Sequence, residues 1–141
     1  MIPELKKMSS GKDKLNIKIE ATLDSVDFIC LKIARLLTEN RLDNLIFEIS
    51  LTAREALVNA VKHGNKTDHR LKIKFLMCIR EKEIAMAVED NGNGFNYHDL
   101  LNKKPDLSSE NGRGLLIMKK YATELRYNKK ANKVLIKKKI K

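Results

Sequence analysis

Glu55 and Asn59 stand four residues apart in the run Glu55-Ala56-Leu57-Val58-Asn59-Ala60-Val61-Lys62-His63. On a helix that spacing stacks the two side chains one turn apart on the same face. An asparagine oxygen is a neutral, hard ligand, suited to Mg²⁺ when phosphates supply most of the remaining oxygens. A carboxylate one turn away can orient or deprotonate a water or hydroxyl nucleophile. Lys62 and His63, at the end of the run, can reach phosphate. A second piece, Asp90-Asn91-Gly92-Asn93-Gly94, follows an apolar run. There Asp90 can accept a hydrogen bond from a ligand's amino group, while Gly92 and Gly94 let the backbone turn sharply and approach a flat ring without a Cβ clash. A third piece, Asn111-Gly112-Arg113-Gly114-Leu115, leads into a helix whose free N–H groups can cradle phosphate, with Arg113 adding a bidentate contact.

Each piece has an ordinary structural reading: a solvated helix face, an Asn-Gly hairpin turn and a helix-entry turn. A calcium loop fits the second piece worse, because Gly92 stands where an oxygen-bearing side chain is needed. No G-x-x-x-x-G-K-[ST] run occurs in the chain, which excludes a P-loop, and the H-R-D and D-F-G signatures of eukaryotic-type protein kinases are missing. What makes the three pieces informative is their order.

The elements that must position them follow from periodicity. Leu15 to Ala21 alternates apolar and polar residues, as a half-buried strand does. Ser25 to Leu37 reads as a helix with Val26, Ile29, Cys30, Ile33 and Leu37 on one face. Phe28 and Leu31 fall on the other side, where a neighbouring element or a dimer contact would cover them. Asp43 to His63 is the clearest helix, with Asp43 as N-cap and Gly64-Asn65 as its stop. Its core stripe is Leu45, Ile49, Ala53, Ala56, Leu57 and Ala60. Glu48, Thr52, Glu55 and Asn59 form a separate polar stripe, with Asn59 at the edge of the apolar one, where a short polar side chain looks into a cleft beside the core. Leu71 to Ile79 and Glu83 to Glu89 read as two strands joined by a turn, with Ile84, Met86 and Val88 on one face and Ala85 and Ala87 on the other. Residues 92–111 read mostly as loop, with room for a turn of helix near Tyr97 to Leu101. Leu115 to Tyr121 reads as helix, and Glu124 to Tyr127 with Lys133 to Ile140 as a closing hairpin whose Val134, Ile136 and Ile140 face inward. The implied fold class is α+β: a two-layer α/β sandwich in which helices cover one face of a mixed, mostly antiparallel sheet. Alternating βαβ units are absent, which argues against a doubly wound nucleotide fold.

Length and composition set outer bounds. A chain of 141 residues, 43% hydrophobic and 33% charged, fits one domain over 1–141, with residues 1–13 as a flexible N-terminus. No apolar run reaches the roughly 18–20 residues of a membrane span, and Met1 to Lys14 lacks the apolar core of a signal peptide. A cytoplasmic protein without a membrane partner is the resulting expectation. Cys30 and Cys78 lie in apolar stretches without a C-x-x-C pair and read as reduced core residues. The formal net charge is +11, yet the stretch from Arg126 to Lys141 alone carries eight basic residues and no acid. Two readings of that stretch stand: a strand and tail kept soluble by lysine, or an anionic docking surface.

Taken together, the three pieces resemble the motifs of the GHKL ATPase superfamily, which includes gyrase, the heat-shock ATPases and the histidine kinases. Glu55 to His63 is similar to its N-box, Asp90 to Gly94 to its D-x-G-x-G motif, and Gly112 to Leu115 to its second glycine motif. The resemblance spans nearly the whole chain, because the order of elements agrees too. The compact length and the E-A-x-x-N-A-x-x-H pattern resemble most the anti-sigma factor serine/threonine kinases of bacterial partner-switching systems. The resemblance implies that Asn59 holds Mg²⁺ and that Glu55 is the general base. It implies that Asp90 binds the adenine amino group of ATP, with Gly92 and Gly94 shaping the adenine pocket. Residues 95–111 would form a lid closing at Gly112, Arg113 and Gly114, and Lys62 matches a phosphate-contacting lysine of histidine kinases. Such proteins dimerise, bind a sigma factor in one state and phosphorylate a serine on an anti-sigma antagonist in another. The chain departs from the family at Asn132-Lys133-Val134, where a Gly-Thr pair often helps to hold adenine.

The function so implied is a Mg²⁺-ATP-dependent serine/threonine kinase. An ATP-sensing binding module without efficient phosphate transfer is the alternative. The detached ATPase domain of a histidine kinase fits less well, since no helical dimerisation segment with an acceptor histidine is present and Glu55 stands where asparagine is more usual. A nucleic-acid-binding domain is permitted by charge but supported by no recognition motif.

Overall fold

A computed structural model describes residues 13–65, 72–90, 110–128 and 133–140; within these, the side chains of 63–65 and 110–115 are outside the description. The elements run in the expected order. Strand β1 (Lys14–Glu20) is followed by helix α1 (Leu23–Glu39), a 3₁₀ turn (Asp43–Leu45) and helix α2 (Ile46–Asn65). Strands β2 (Lys72–Ile79) and β3 (Glu83–Asp90), helix α3 (Glu110–Tyr121), and strands β4 (Glu124–Tyr127) and β5 (Lys133–Lys139) complete it. The strands lie in the order β1-β2-β3-β5-β4. Every described pairing is antiparallel, so the expected mixed sheet sharpens to an antiparallel one.

Local chemistry explains where the helices differ from their periodicity. Helix α1 begins two residues before Ser25, because Thr22 is the cap: its backbone is extended and its Oγ1 accepts from the Ser25 N–H at 3.1 Å. At the other end the Asn40 side chain donates to the Leu36 carbonyl at 2.8 Å, and Arg41 turns out of the helix at φ 59°. Asp43 does not cap the second helix. It is the first residue of the 3₁₀ turn, where Leu42 holds the cap position without a side-chain hydrogen bond, and its carbonyl accepts from Ile46 as the turn tightens into α2. Gly64 and Asn65 lie in the last turn of α2 rather than beyond it, a displacement within the fraying expected of helix ends. Residues 1–12 lie outside the described residues, as do 92–109 of the loop expected over 92–111, including the turn near Tyr97 to Leu101; its last two residues, Glu110 and Asn111, instead open α3.

Alternation sets the two faces of the sheet. Register places Ile17, Phe75, Val88 and Val134 in one row, and Leu15, Met77, Met86 and Ile136 in the next. These inner-face side chains join Ile29, Ile33, Leu37, Ile49, Ala53 and Leu57 in the main core. Helix α1 packs on α2 and β1, and α2 packs on β2, β3 and α3. Ala85 and Ala87 face outward with Leu76, Cys78 and Leu135 as a small second cluster. Phe28 and Leu31 are exposed, at 47% and 72%, so no described element of the chain covers them; the Lys32 ammonium lies 5.3 Å from the Phe28 ring centre.

Both cysteines are free; Cys78 is buried and Cys30 half-buried. Burial raises the Cys30 thiol above its ordinary pKa, opposed in part by a hydrogen bond and the charge of Arg54, which is itself paired with Asp27 at 2.6 Å. With its thiol raised, Cys30 carries less thiolate near neutral pH than a free cysteine. In a Cys78→Ala background, iodoacetamide should therefore label Cys30 more slowly than free cysteine at about pH 8, with the rate still climbing above the ordinary thiol range; an early plateau would contradict this. Leu57 is fully buried between α2 and the sheet. Leu57→Ala should cost about 2–5 kcal/mol, read as a lower urea midpoint with an unchanged slope.

Candidate functional site

Helix α2 packs against the elements that carry described parts of the other two sequence pieces. It carries Glu55, Asn59, Lys62 and His63, and it packs against both β3, which ends at Asp90, and α3, which contains Gly112, Arg113 and Gly114. Asp90 pairs across the sheet with Ile73 and shares the inner, helix-covered face with Val88 and Met86. Asn59 and Asp90 are each 7% exposed, and with Thr52 they are the buried polar side chains among the described residues. Two of the three are thus residues that the sequence marks for ligand chemistry.

Thr52 is satisfied inside its own helix, donating from Oγ1 to the Glu48 carbonyl at 2.7 Å. The expected polar stripe of α2 is therefore not uniformly solvated: Thr52 and Asn59 turn into the layer between helix and sheet, whereas Glu48, Glu55 and Lys62 are half-buried. Asp90, Glu55 and Lys62 each engage in further polar interactions. Asn59 makes no side-chain hydrogen bond to a described residue. Its amide atoms are not sealed from solvent, since neither is a fully buried polar atom lacking a hydrogen bond among the described residues, and a neutral oxygen at the mouth of a layer is a fit donor for a hard cation. Among the described residues no group of three or more His, Cys, Asp or Glu side chains gathers as a metal site. A cation beside Asn59 would then draw most of its oxygens from a ligand such as a phosphate chain.

The glycine motif is positioned differently from its sequence reading. Helix α3 starts at Glu110, so Gly112, Arg113 and Gly114 lie inside its opening turns instead of leading into it. The first four N–H groups of a helix lack intrahelical partners, and those of Gly112 and Arg113 are among them. Arg113 and His63 side chains, and Gly92 and Gly94 altogether, lie outside the described residues, as does Asn132; Lys133 opens β5 opposite Glu89.

One contact escaped the sequence reading. Lys138 belongs to the basic stretch, yet its Nζ lies 3.0 Å from Glu48 Oε2 on α2. Its parity was the signal: it alternates in phase with Val134, Ile136 and Ile140, so it projects to the helix side.

A helix edge carrying a buried amide, a strand ending in a buried carboxylate, and a glycine-bearing helix docked on the first match one known arrangement. Residues 19–138 match the histidine kinase-like ATPase domain. The chain belongs to this family. Among its relatives, the anti-sigma F factor of Clostridium perfringens strain SM101 is 31% identical over 101 residues, covering 66% of this chain and 71% of that protein. The anti-sigma F factor of Clostridium novyi is 30% identical over 104 residues, 68% of this chain and 72% of its own. That of Shouchella clausii is 25% identical over 122 residues, 81% of this chain and 82% of its own. Membership accounts for ATP as the nucleotide of the fold and for the five-stranded sheet with helices on one side. No described helix is long and apolar enough to cross a membrane.

A polar side chain that sits beside an apolar stripe without a described hydrogen-bond partner adds little to the stability of the nucleotide-free protein. Asn59→Leu, similar in volume and apolar, should leave the unfolding free energy of the nucleotide-free protein unchanged or raise it by up to about 1 kcal/mol, read from urea titration. A loss of stability would instead mark Asn59 as a structural polar group.

Proposed function

We propose that this histidine kinase-like ATPase domain is an anti-sigma factor serine/threonine kinase that uses Mg²⁺-ATP, and that it works in the cytoplasm as a homodimer switching between a sigma factor and an anti-sigma antagonist. The observation that supports this most is the burial of Asn59 and Asp90 at the one layer that α2, β3 and α3 share. The names of the relatives support the sigma-factor partner.

In this reading Asp90 accepts from the adenine amino group, with Gly92 and Gly94 keeping the backbone close to the ring. Asn59 presents its amide oxygen to Mg²⁺, which when bound neutralises phosphate charge. Lys62, His63 and Arg113, with the free N–H groups of α3 at Gly112 and Arg113 and with Gly114 beside them, hold the phosphates. Glu55, one turn from Asn59, accepts the proton as the antagonist's serine oxygen bonds to the γ-phosphorus and the bond to the departing ADP breaks. Positioning and charge neutralisation carry the transfer.

The two α2 residues separate binding from chemistry. Wild-type protein should gain thermal stability with Mg²⁺-ATP, by about 2.7 kcal/mol at a hundredfold excess over the dissociation constant, and Asn59→Ala should lose that gain. Glu55→Gln should keep the gain yet transfer labelled phosphate to the antagonist's serine about 10²–10⁴-fold more slowly. Stabilisation by ATP without transfer in the wild type would leave an ATP-sensing binding module; no stabilisation at all would refute the reading.

A further inference from the structure

Ion pairs hold helix α2 on both flanks of its buried stripe. On one, the Lys138 ammonium on β5 lies 3.0 Å from Glu48 Oε2, with the two side chains 23% and 34% exposed. On the other, Arg54 pairs with Asp27 on α1 at 2.6 Å, at 43% and 59% exposure. At about 100° per residue, Glu48, Thr52, Glu55 and Asn59 all fall within about 60° of arc. The Glu48–Lys138 pair therefore belongs to the flank that carries both candidate site residues, and the Arg54–Asp27 pair does not. Between the flanks lie Ile49, Ala53, Ala56, Leu57 and Ala60. Alanines make shallow ridges, which interlock weakly with the layer beneath, and apolar burial has no preferred direction. Packing keeps α2 on the sheet but leaves its roll about its own axis loosely fixed. Lys138 stands in phase with Val134 and Ile136, directly across from Ile84, whose side chain is fully buried. An ammonium entering that row needs a partner at a defined place, and Glu48 supplies it.

We propose that Lys138 is a positioning residue: through Glu48 it sets the roll of α2, and with it the depth at which Asn59 and Glu55 sit between helix and sheet. The use of those two residues in Mg²⁺-ATP binding rests on the function proposed above; the hold on them does not. Magnitudes favour placement over stability. A half-open ion pair adds little to folding. A roll of about 20°, at a side-chain radius of about 5–6 Å, carries an amide oxygen through about 2 Å. Misplacement by about 1 Å can cost about 100-fold where a site depends on position. The neighbouring lysines of the basic stretch do different work, since Lys133 pairs with Glu89 and Lys137 with Glu124. Of these three, Lys138 is the one that reaches α2.

The test uses the full chain, first without nucleotide and then with it. Lys138→Met keeps an unbranched side chain and removes the charge. In ¹⁵N–¹H spectra of the nucleotide-free protein it should shift the Asn59 side-chain amide signal, while Lys138→Arg should leave that signal near its wild-type position. Glu48→Met should shift it likewise, and combining it with Lys138→Met should add nothing, since both break one pair. Asp27→Asn, which breaks the pair on the other flank, should leave the signal in place. In calorimetric titration Lys138→Met should raise the dissociation constant for Mg²⁺-ATP about tenfold. Its affinity for ATP in EDTA should fall far less, because Asp90 sits on β3 and not on α2. The urea midpoint should stay near that of the wild type. An unmoved Asn59 signal in Lys138→Met would overturn the proposal, as would equal losses with and without Mg²⁺ or a midpoint that falls in step with affinity. Wild-type protein that binds no Mg²⁺-ATP, with the Asn59 signal still moved by Lys138→Met, would refute the kinase reading and leave the positioning role standing.

Discussion

Helix α2 has to bury an apolar stripe against the sheet and, one residue to the side, hold a polar group at the edge of that same interface. Ile49, Ala53, Ala56, Leu57 and Ala60 meet the first demand. The run of three alanines keeps helix and sheet close, so that a side chain beside the stripe is drawn into the layer instead of being left in water. Asn59 occupies that position. Burial of the stripe is favourable and non-directional, and it is what holds the Asn59 amide at the edge of the layer.

The remaining parts of the site depend on the same helix. β3 delivers Asp90 at its end because its inward residues Ile84, Met86 and Val88 are tied to α2 and to both neighbouring strands. α3 docks against α2 through Met118, which is fully buried, and through the edge-on contact of Phe47 and Tyr121, whose ring centroids are 6.3 Å apart. The far end of α3 is thereby anchored on α2. The Glu48–Lys138 pair ties the start of α2 to β5. This partly buried ion pair adds register more than energy.

The two faces of the sheet do different work. The inner face is closed by helices and builds the core. The outer face carries lysines and glutamates around a narrow, buried apolar cluster of Leu76, Cys78, Ala85, Ala87 and Leu135. The excess of lysine there accounts for much of the chain's basic character without any link to nucleotide chemistry, and the side chains of Lys133 and Lys137 are only 25% and 19% exposed. Their stems lie along the sheet with the ammonium groups at its surface.

Element types and order were legible in the sequence because the periods are clean: Leu15, Ile17 and Ile19 repeat every second residue, and the α2 stripe every third or fourth. The inward and outward split of Ile84, Met86 and Val88 from Ala85 and Ala87 followed from alternation alone. Helix ends were less legible, since Thr22 and Asp43 are both good caps by type, and only the chain path decides which one meets a free N–H. The sequence by itself determined the elements and their order, and it marked candidate site residues on one helix, one strand end and one glycine-bearing segment. Only tertiary structure decided that α2 touches both of the others, that Asn59 and Asp90 are buried while Glu55 is half-open, and that Lys138 turns inward. Those outcomes depend on contacts between residues distant in the chain, and no local period encodes how deeply a side chain sinks once two layers close.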